Sequence, residues 1–227
     1  MTARGSRTRA PRCGHAARRR IAPLVLTACL GVAACAPRVA PLEGTPAPAR
    51  FPSTELPRVP RQLIFRWEFT DPDFRSAGEG VARIAPPDSV RLDFFLDGGF
   101  GSGVAWLLGD TVVAPGGSLV RRLLPPPPLM WAALGRLAVP PAGDTLVRVA
   151  ADTVRADIGR DDVWRVAFVE NRLVRLERVE GGRLREWVAH DPNRVVRYHH
   201  ETARRALVLT ILRADTVPPF DATIWPR

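Results

Sequence analysis

The sequence predicts a mainly β fold, one long twisted antiparallel sheet with a short helical insertion. Apolar and polar residues alternate with a period of two along most of the chain after residue 60, which is typical of strands with one buried face. The links between these segments are short, as a meander of antiparallel strands requires. Helical patterning is confined to a single stretch, residues 118–137.

Residues 1–34 have the layout of an export signal. The segment holds seven arginines and no acidic residue, and Arg18-Arg19-Arg20 precedes an apolar stretch of 14 residues, 21–34. That stretch is too short to span a bilayer as a helix but fits a secretory signal. It ends in VAAC, which resembles the lipobox of bacterial lipoproteins, whose cysteine is acylated and becomes the new N-terminus. We expect lipid attachment at Cys35; an ordinary signal peptide cleaved nearby is the alternative.

The cysteine count extends this prediction. Cys13 and Cys29 lie within the signal, so the mature chain keeps Cys35 alone, which excludes disulfides, thiol catalysis and Cys-ligated zinc. The stretch LTAC (26–29) also fits the lipobox but leaves only eight apolar residues before the cut. Two or more acyl chains make a stable anchor, whereas one does not. Because Ala36 rather than Asp follows, the resemblance implies the outer membrane, with the protein on its periplasmic side.

The formal net charge of +10 belongs mostly to the N-terminal segment. From Cys35 onward, 26 arginines stand against 23 acidic residues, and the chain has no lysine. No basic stripe interleaved with aromatic residues occurs, so we expect no nucleic-acid partner.

Residues 35–60 are predicted to be an acylated cysteine followed by a proline-rich spacer. Seven prolines fall between positions 36 and 60, with little apolar periodicity. Such a spacer would extend at most ~75 Å at about 3.1 Å per residue. The folded domain is expected over 61–227, and its 167 residues suffice for one core.

The domain is predicted to consist of strands with one interruption. The apolar face of the first strands comprises Leu63, Phe65, Trp67, Phe69, Val90, Leu92, Phe94, Leu96, Val104, Trp106 and Leu108. Later strands are predicted over 145–151, 153–158, 163–169, 172–179, 184–190, 194–200 and 206–213. Between the two groups, Ser118 can cap a helix over 119–124, and Pro128 can begin another with 129–137.

The glycine-rich stretch GGFGSG (98–103) joins two of these strands. It lacks the spacing of a dinucleotide-binding loop, the lysine of a phosphate-binding loop and the glycines around a nucleophilic serine. A hairpin tip remains. Phe100 at this tip either folds back onto the sheet or protrudes to meet acyl chains or a protein.

The order of these parts resembles the LolA/LolB superfamily of periplasmic lipoprotein carriers and receptors, and above all its membrane-anchored LolB branch. The resemblance rests on the lipobox and spacer and on four further motifs: PPDSVRLDF (86–94), GFGS (99–102), LMWAALG (129–135) and RVVRYHH (194–200). It implies an unclosed antiparallel β-barrel, a half-barrel lidded by short helices. Its concave face would hold acyl chains, and a periplasmic carrier protein would be a partner. The tail 214–227 departs from the LolB pattern.

The resemblance also implies roles for particular residues. Phe100 would be the loop residue that faces the membrane, and Trp106 and Trp131 would line the cavity. Leu92, Phe94 and Leu108 share the apolar stripe and are assigned to the same cavity.

Other chemistry is weakly supported. His199 and His200 point to opposite faces of a strand and cannot both bind one ion without a bulge, and no recognised metal spacing occurs. We therefore expect no metal, cofactor or catalytic residue, and no enzyme activity. Two functions stay open. One is a lipid-binding receptor or carrier with an apolar cavity, and the other is a structural envelope lipoprotein with a filled core and a protein partner.

Overall fold

A computed structural model describes residues 37–99, 101–115, 118–140 and 142–226. Most of these residues belong to one antiparallel sheet of 13 strands. The strands are β1 (Thr45–Ala47), β2 (Arg61–Thr70), β3 (Arg75–Ala85), β4 (Ser89–Leu96), β5 (Ser102–Leu108), β6 (Thr111–Val113), β7 (Thr145–Ala150), β8 (Thr153–Ile158), β9 (Asp162–Val169), β10 (Arg172–Glu180), β11 (Arg183–Asp191), β12 (Val195–His200) and β13 (Arg205–Thr216). Helix α1 (Ser118–Leu123) and helix α2 (Pro127–Ala133) interrupt the strands after β6.

The sheet is open. Its strand order is β1-β7-β8-β9-β10-β11-β12-β13-β2-β3-β4-β5-β6, so the last strand pairs with β2 in the middle of the sheet. The two edge strands, β1 and β6, have three residues each and do not pair with one another. Short edges limit pairing with other chains. The predicted unclosed, mainly antiparallel architecture with a helical insertion is confirmed.

Strand β3 was not among the predicted strands, because its buried face carries two glycines where large apolar side chains would mark a strand. Gly78 and Gly80 lie opposite Trp67 and Phe65 of β2. A Cβ atom on Gly80 would stand 2.4 Å from the Phe65 ring, and one on Gly78 would stand 2.9 Å from the Trp67 ring. Aromatic rings on β2 thus occupy the space that β3 side chains would need, and the apolar alternation disappears from the sequence.

The proline-rich segment lies on the sheet instead of extending away from it. β1 pairs with β7, and Arg38 forms a bridge with Arg183 beside the β10–β11 turn. The ring centroid of Phe51 is 6.1 Å from that of Phe168. The prediction of a free spacer is therefore wrong for residues 37–60. Prolines are tolerated at a sheet edge, where one side of the strand needs no partner.

The two helices lie on the concave side. α1 contacts β5, and α2 contacts β10, β11 and β12. Both helices were predicted, although α2 begins one residue before Pro128 and ends at Ala133 rather than at 137. Gly135 has a φ of +86°, a left-handed conformation that closes the helix early.

We expect Gly78→Ala to lower the free energy of unfolding by ~1–3 kcal/mol, because its Cβ would stand 1.9 Å from the carbonyl oxygen of Phe95. Urea unfolding measures this change. Gly143→Ala is the matched control, since a Cβ there meets nothing within 4 Å. Equal unfolding midpoints for the two variants would contradict the close packing of β3.

Candidate functional site

An apolar cavity of about 60 Å³ lies between the concave face of the sheet and the helical segment. The sheet contributes side chains from β2, β3, β4, β5, β12 and β13, and the helical segment contributes both its proline linker and α2. Five residues of that segment line the cavity opposite the sheet: Leu124, Pro125, Met130, Ala133 and Leu134. A space of this size holds about four water-sized groups.

Two of the predicted cavity residues line this space. Leu92 is half-buried and Phe94 is buried, and both face the cavity from β4. The Phe94 ring meets Phe65 and Trp67 edge-on, with centroid distances of 5.9 and 6.0 Å. These contacts hold the aromatic floor of the cavity in one arrangement.

Trp106 and Leu108 do not line the cavity. Trp106 pairs with Arg91 and Leu108 with Ser89, whereas Leu107 pairs with Val90. Directly paired residues share a face, so the cavity face of β5 carries Leu107 and the predicted phase was one residue out.

The misassignment of β5 has a physical cause. Its concave face begins with Gly103 and Ala105, which leave room for α1: a Cβ on Gly103 would stand 2.1 Å from Val120. Trp106 on the outer face donates its indole N–H to the carbonyl of Ile224 (2.8 Å), so the C-terminal tail covers it. Small residues face inward here, and the large aromatic residue faces outward.

Trp131 is buried but does not line the cavity either. Its indole N–H donates to the carbonyl of Gly109 at 2.6 Å, and the guanidinium of Arg136 lies 4.6 Å from its ring centroid. The His190 ring contacts the carbonyl of Ala132 at 2.7 Å on the same helix. Trp131 therefore attaches α2 to the β5–β6 turn, and its neighbours Met130 and Ala133 face the cavity.

The other two predicted sites, Cys35 and Phe100, lie outside the described residues. The glycines beside Phe100 form the expected hairpin connection, because β4 ends at Leu96 and β5 begins at Ser102. Gly98 and Gly99 have φ values of +86° and +76°, conformations that favour glycine.

An ion pair attaches α1 to the sheet. The Arg122 guanidinium donates to the carboxylate of Asp71, which also accepts the backbone N–H groups of Asp73 (3.0 Å) and Phe74 (2.9 Å). Burial acts to raise the pKa of Asp71, but the Arg122 and backbone hydrogen bonds outweigh it and hold the pKa below 3.8. The Arg122 guanidinium also lies 5.9 Å from the Phe74 ring centroid.

A second, polar pocket of about 610 Å³ adjoins the apolar cavity and was not predicted. Its charged wall includes Arg121, Arg178, Glu186, His200 and Arg205. The signal available in the sequence was the alternation within β11, which places Glu186 on the same face as the apolar Val188.

The side chains of His199 and His200 have different surroundings. The His199 ring stacks on Trp187 with centroids 5.7 Å apart, whereas His200 faces the polar pocket. Within residues 37–226, excluding the short undescribed breaks, no three His, Cys, Asp or Glu side chains are grouped as metal ligands would be. Over the same residues, no helix has the length and apolar character needed to cross a membrane.

Comparison with known proteins identifies the fold. No protein-family model and no curated protein matches the sequence. The structure is similar to that of a LolA superfamily protein from Nitrosomonas europaea, with a TM-score of 0.51 at 11% identity over 77% of this chain and 93% of the other. It also matches a domain described as an outer membrane lipoprotein-sorting protein from Vibrio parahaemolyticus (TM-score 0.47, 7% identity, 75% and 90% covered). A third match is a DUF1329 family protein from Desulfovibrio piger (TM-score 0.42, 7% identity, 72% and 88% covered). The chain has a LolA-like fold, as the sequence resemblance implied.

We expect Asp71→Asn to lower the urea midpoint near neutral pH, because Asn keeps the backbone hydrogen bonds but loses the charge that holds Arg122. The pKa of Asp71 in the folded protein lies below its unfolded value of 3.8. The ionised carboxylate therefore stabilises the fold above pH 3.8, and this stabilisation is lost as the pH falls through the pKa of the folded protein. The gap between the variant and the parent protein should therefore narrow in acid. Asp73→Asn is the control: its side chain is 84% exposed and makes only a longer, 3.6 Å contact with Arg122, so its effect should be the smaller one. A gap that persists unchanged at about pH 2 would contradict this account.

Proposed function

We propose that the protein is a lipid-anchored envelope protein that takes acyl chains, or the chains of acylated lipoproteins, into the apolar cavity without covalent chemistry. The cavity between the concave face and the helix pair of a LolA-like fold carries this proposal. Its walls are almost entirely hydrocarbon, and transfer of each methylene from water into such a site contributes ~0.8 kcal/mol.

Binding a whole chain requires the helical segment to move. About 60 Å³ accommodates only the end of an acyl chain, so Leu124, Met130 and Leu134 must shift to admit the rest. The segment consists of two helices of six and seven residues joined by prolines. Arg122 attaches α1 and Trp131 attaches α2, so the movement has to spare or break these two contacts. Met130 adapts readily because its unbranched side chain fills irregular space.

Anchoring and delivery are parts of the same proposal. The VAAC sequence supports acylation at Cys35 and residence at the outer membrane on its periplasmic side. We assign Phe100, at the tip of the β4–β5 hairpin, to contact with the membrane or with a carrier protein. Receipt of lipoproteins and their insertion into the membrane would then use one surface of the molecule.

A structural role is the second candidate, and the small cavity favours it. A core that already fills most of the concave face would act as a scaffold for a protein partner in the envelope. Acyl binding decides between the two functions, because a filled core would not admit a chain.

The acyl-binding test uses residues 34–227, which form one compact unit with its own core, carrying Cys35→Ser. We expect native mass spectrometry to detect a complex with a synthetic triacylated lipopeptide and none with the same peptide lacking acyl chains. Leu92→Gln should weaken the complex about tenfold, since it places an amide in the apolar cavity.

Leu108→Gln is the matched control, because it makes the same change on the outer face of the adjacent strand. It should leave binding unchanged. Equal binding of both peptides, or equal loss in both variants, would overturn the proposal, and absence of any complex would favour the scaffold.

The anchor has its own test. We expect Cys35→Ser to move the full-length protein from the membrane fraction to the soluble periplasmic fraction, since the acylated thiol would be gone. Cys29→Ser, which alters the competing LTAC sequence, should leave the protein in the membrane fraction. A soluble Cys29→Ser protein beside a membrane-bound Cys35→Ser protein would move the attachment site to Cys29.

A further inference from the structure

A charged row crosses the otherwise apolar concave face near one end of four adjacent strands. In the antiparallel register, Arg178 pairs with Glu186, Glu186 with His200, and His200 with Arg205. One step along the strands, the same face carries an apolar row formed by Leu176, Val188, Tyr198 and Leu207. The change from hydrocarbon to charge therefore occurs within two residues on each strand, at the floor of the polar pocket.

The apolar cavity and the polar pocket share walls. Leu124, Pro125 and Tyr198 line both of them. Tyr198 marks the boundary, and its hydroxyl donates to Glu186 Oε2 at 3.0 Å. Burial, together with the charge of Glu186, raises the pKa of this hydroxyl, so it stays a donor throughout the physiological range. An amphiphile could thus place its chain and its headgroup in adjoining compartments.

The cations of the pocket outnumber its anion. Arg121, Arg178 and Arg205 line it together with one carboxylate, Glu186. Glu186 is occupied, because it accepts from Tyr198 and from Arg178 (3.4 Å), and Arg178 also pairs with Glu180 (2.8 Å). Among the residues that the structure describes, the guanidinium groups of Arg121 and Arg205 thus have no carboxylate partner.

Of these two arginines, Arg205 is the one with a buried donor. Its Nε is buried and has no hydrogen-bond partner among the described residues. Among those described residues, neither Arg205 nor Arg121 forms an ion pair. The one hydrogen bond recorded there for the Arg121 side chain is a 3.4 Å contact with the carbonyl of Ala114. A buried donor without a partner carries a free-energy penalty that an anionic ligand would remove.

We propose that this pocket binds the anionic headgroup, a phosphate or a carboxylate, of an amphiphile whose acyl chain enters the apolar cavity. The inference rests on the proposed function for the chain and adds the class of headgroup. Guanidinium groups suit it because their planar donors match the oxygens of phosphate and carboxylate. The preferred ligand is then an anionic lipid rather than a neutral one of equal chain length.

The test compares two probes with the same chain, dodecyl phosphate and dodecyl maltoside, each below its micelle concentration, with inorganic phosphate as the third. Calorimetric titration into residues 34–227 carrying Cys35→Ser should show tighter binding of dodecyl phosphate than of dodecyl maltoside. Arg205→Gln should reduce the affinity for dodecyl phosphate about tenfold and leave that for dodecyl maltoside unchanged. Inorganic phosphate should not bind at the concentrations that saturate dodecyl phosphate.

Controls separate folding, charge and chain. Arg213→Gln removes an arginine from the same strand at a position that is 68% exposed and should change neither affinity. Arg121→Gln, on the exposed side of the pocket, replaces Arg205→Gln if that variant does not fold, and should show the same selective loss. Equal affinities for the two amphiphiles, or equal losses in the variant, would overturn the headgroup inference while leaving acyl binding intact. Binding of inorganic phosphate alone would also overturn it, and failure of both amphiphiles would overturn acyl binding itself.

Discussion

The apolar concave face of one open sheet has to be covered, and within the described part of the chain two helices of six and seven residues lie against it. The sheet makes room for α1 and for its own aromatic rings by carrying glycine where they pack. Gly103 leaves space for Val120 of α1, and Gly78 and Gly80 leave space for the aromatic rings of β2. Because so little helix is available, a small cavity persists beneath α2, and a proline linker forms part of its roof.

The charged groups on the two faces of the sheet differ in whether they have partners. On the outer face, Asp93 is surrounded by Arg83 and Arg91, and Arg91 also donates to the carbonyl of Ile224 in the tail. These groups have partners and need no ligand. On the concave face, the Nε of Arg205 at the end of the charged row has no hydrogen-bond partner among the described residues. The buried carboxylate of Asp93 thus has its partners in place, whereas a buried donor without a partner is destabilising.

The sequence allowed prediction of the elements better than of their contacts. Alternation located most strands and both helices, because one buried face imposes a period of two wherever side chains are large. The same signal failed at β3, whose concave face carries glycine, and at β5, where alternation favoured Trp106 over Leu107. Pairing between distant strands, which brings Arg178 and Arg205 into one row, leaves no local pattern in the sequence.

The docking of the proline-rich segment sets the length of the tether. If Cys35 carries the lipid, only two residues lie between it and the bridge at Arg38, a reach of at most about 10 Å. With so short a connection to the lipid, the domain could not reach ligands far from the membrane. It would hold the end of the sheet near the β10–β11 turn close to the bilayer surface, and cargo would have to be brought to it.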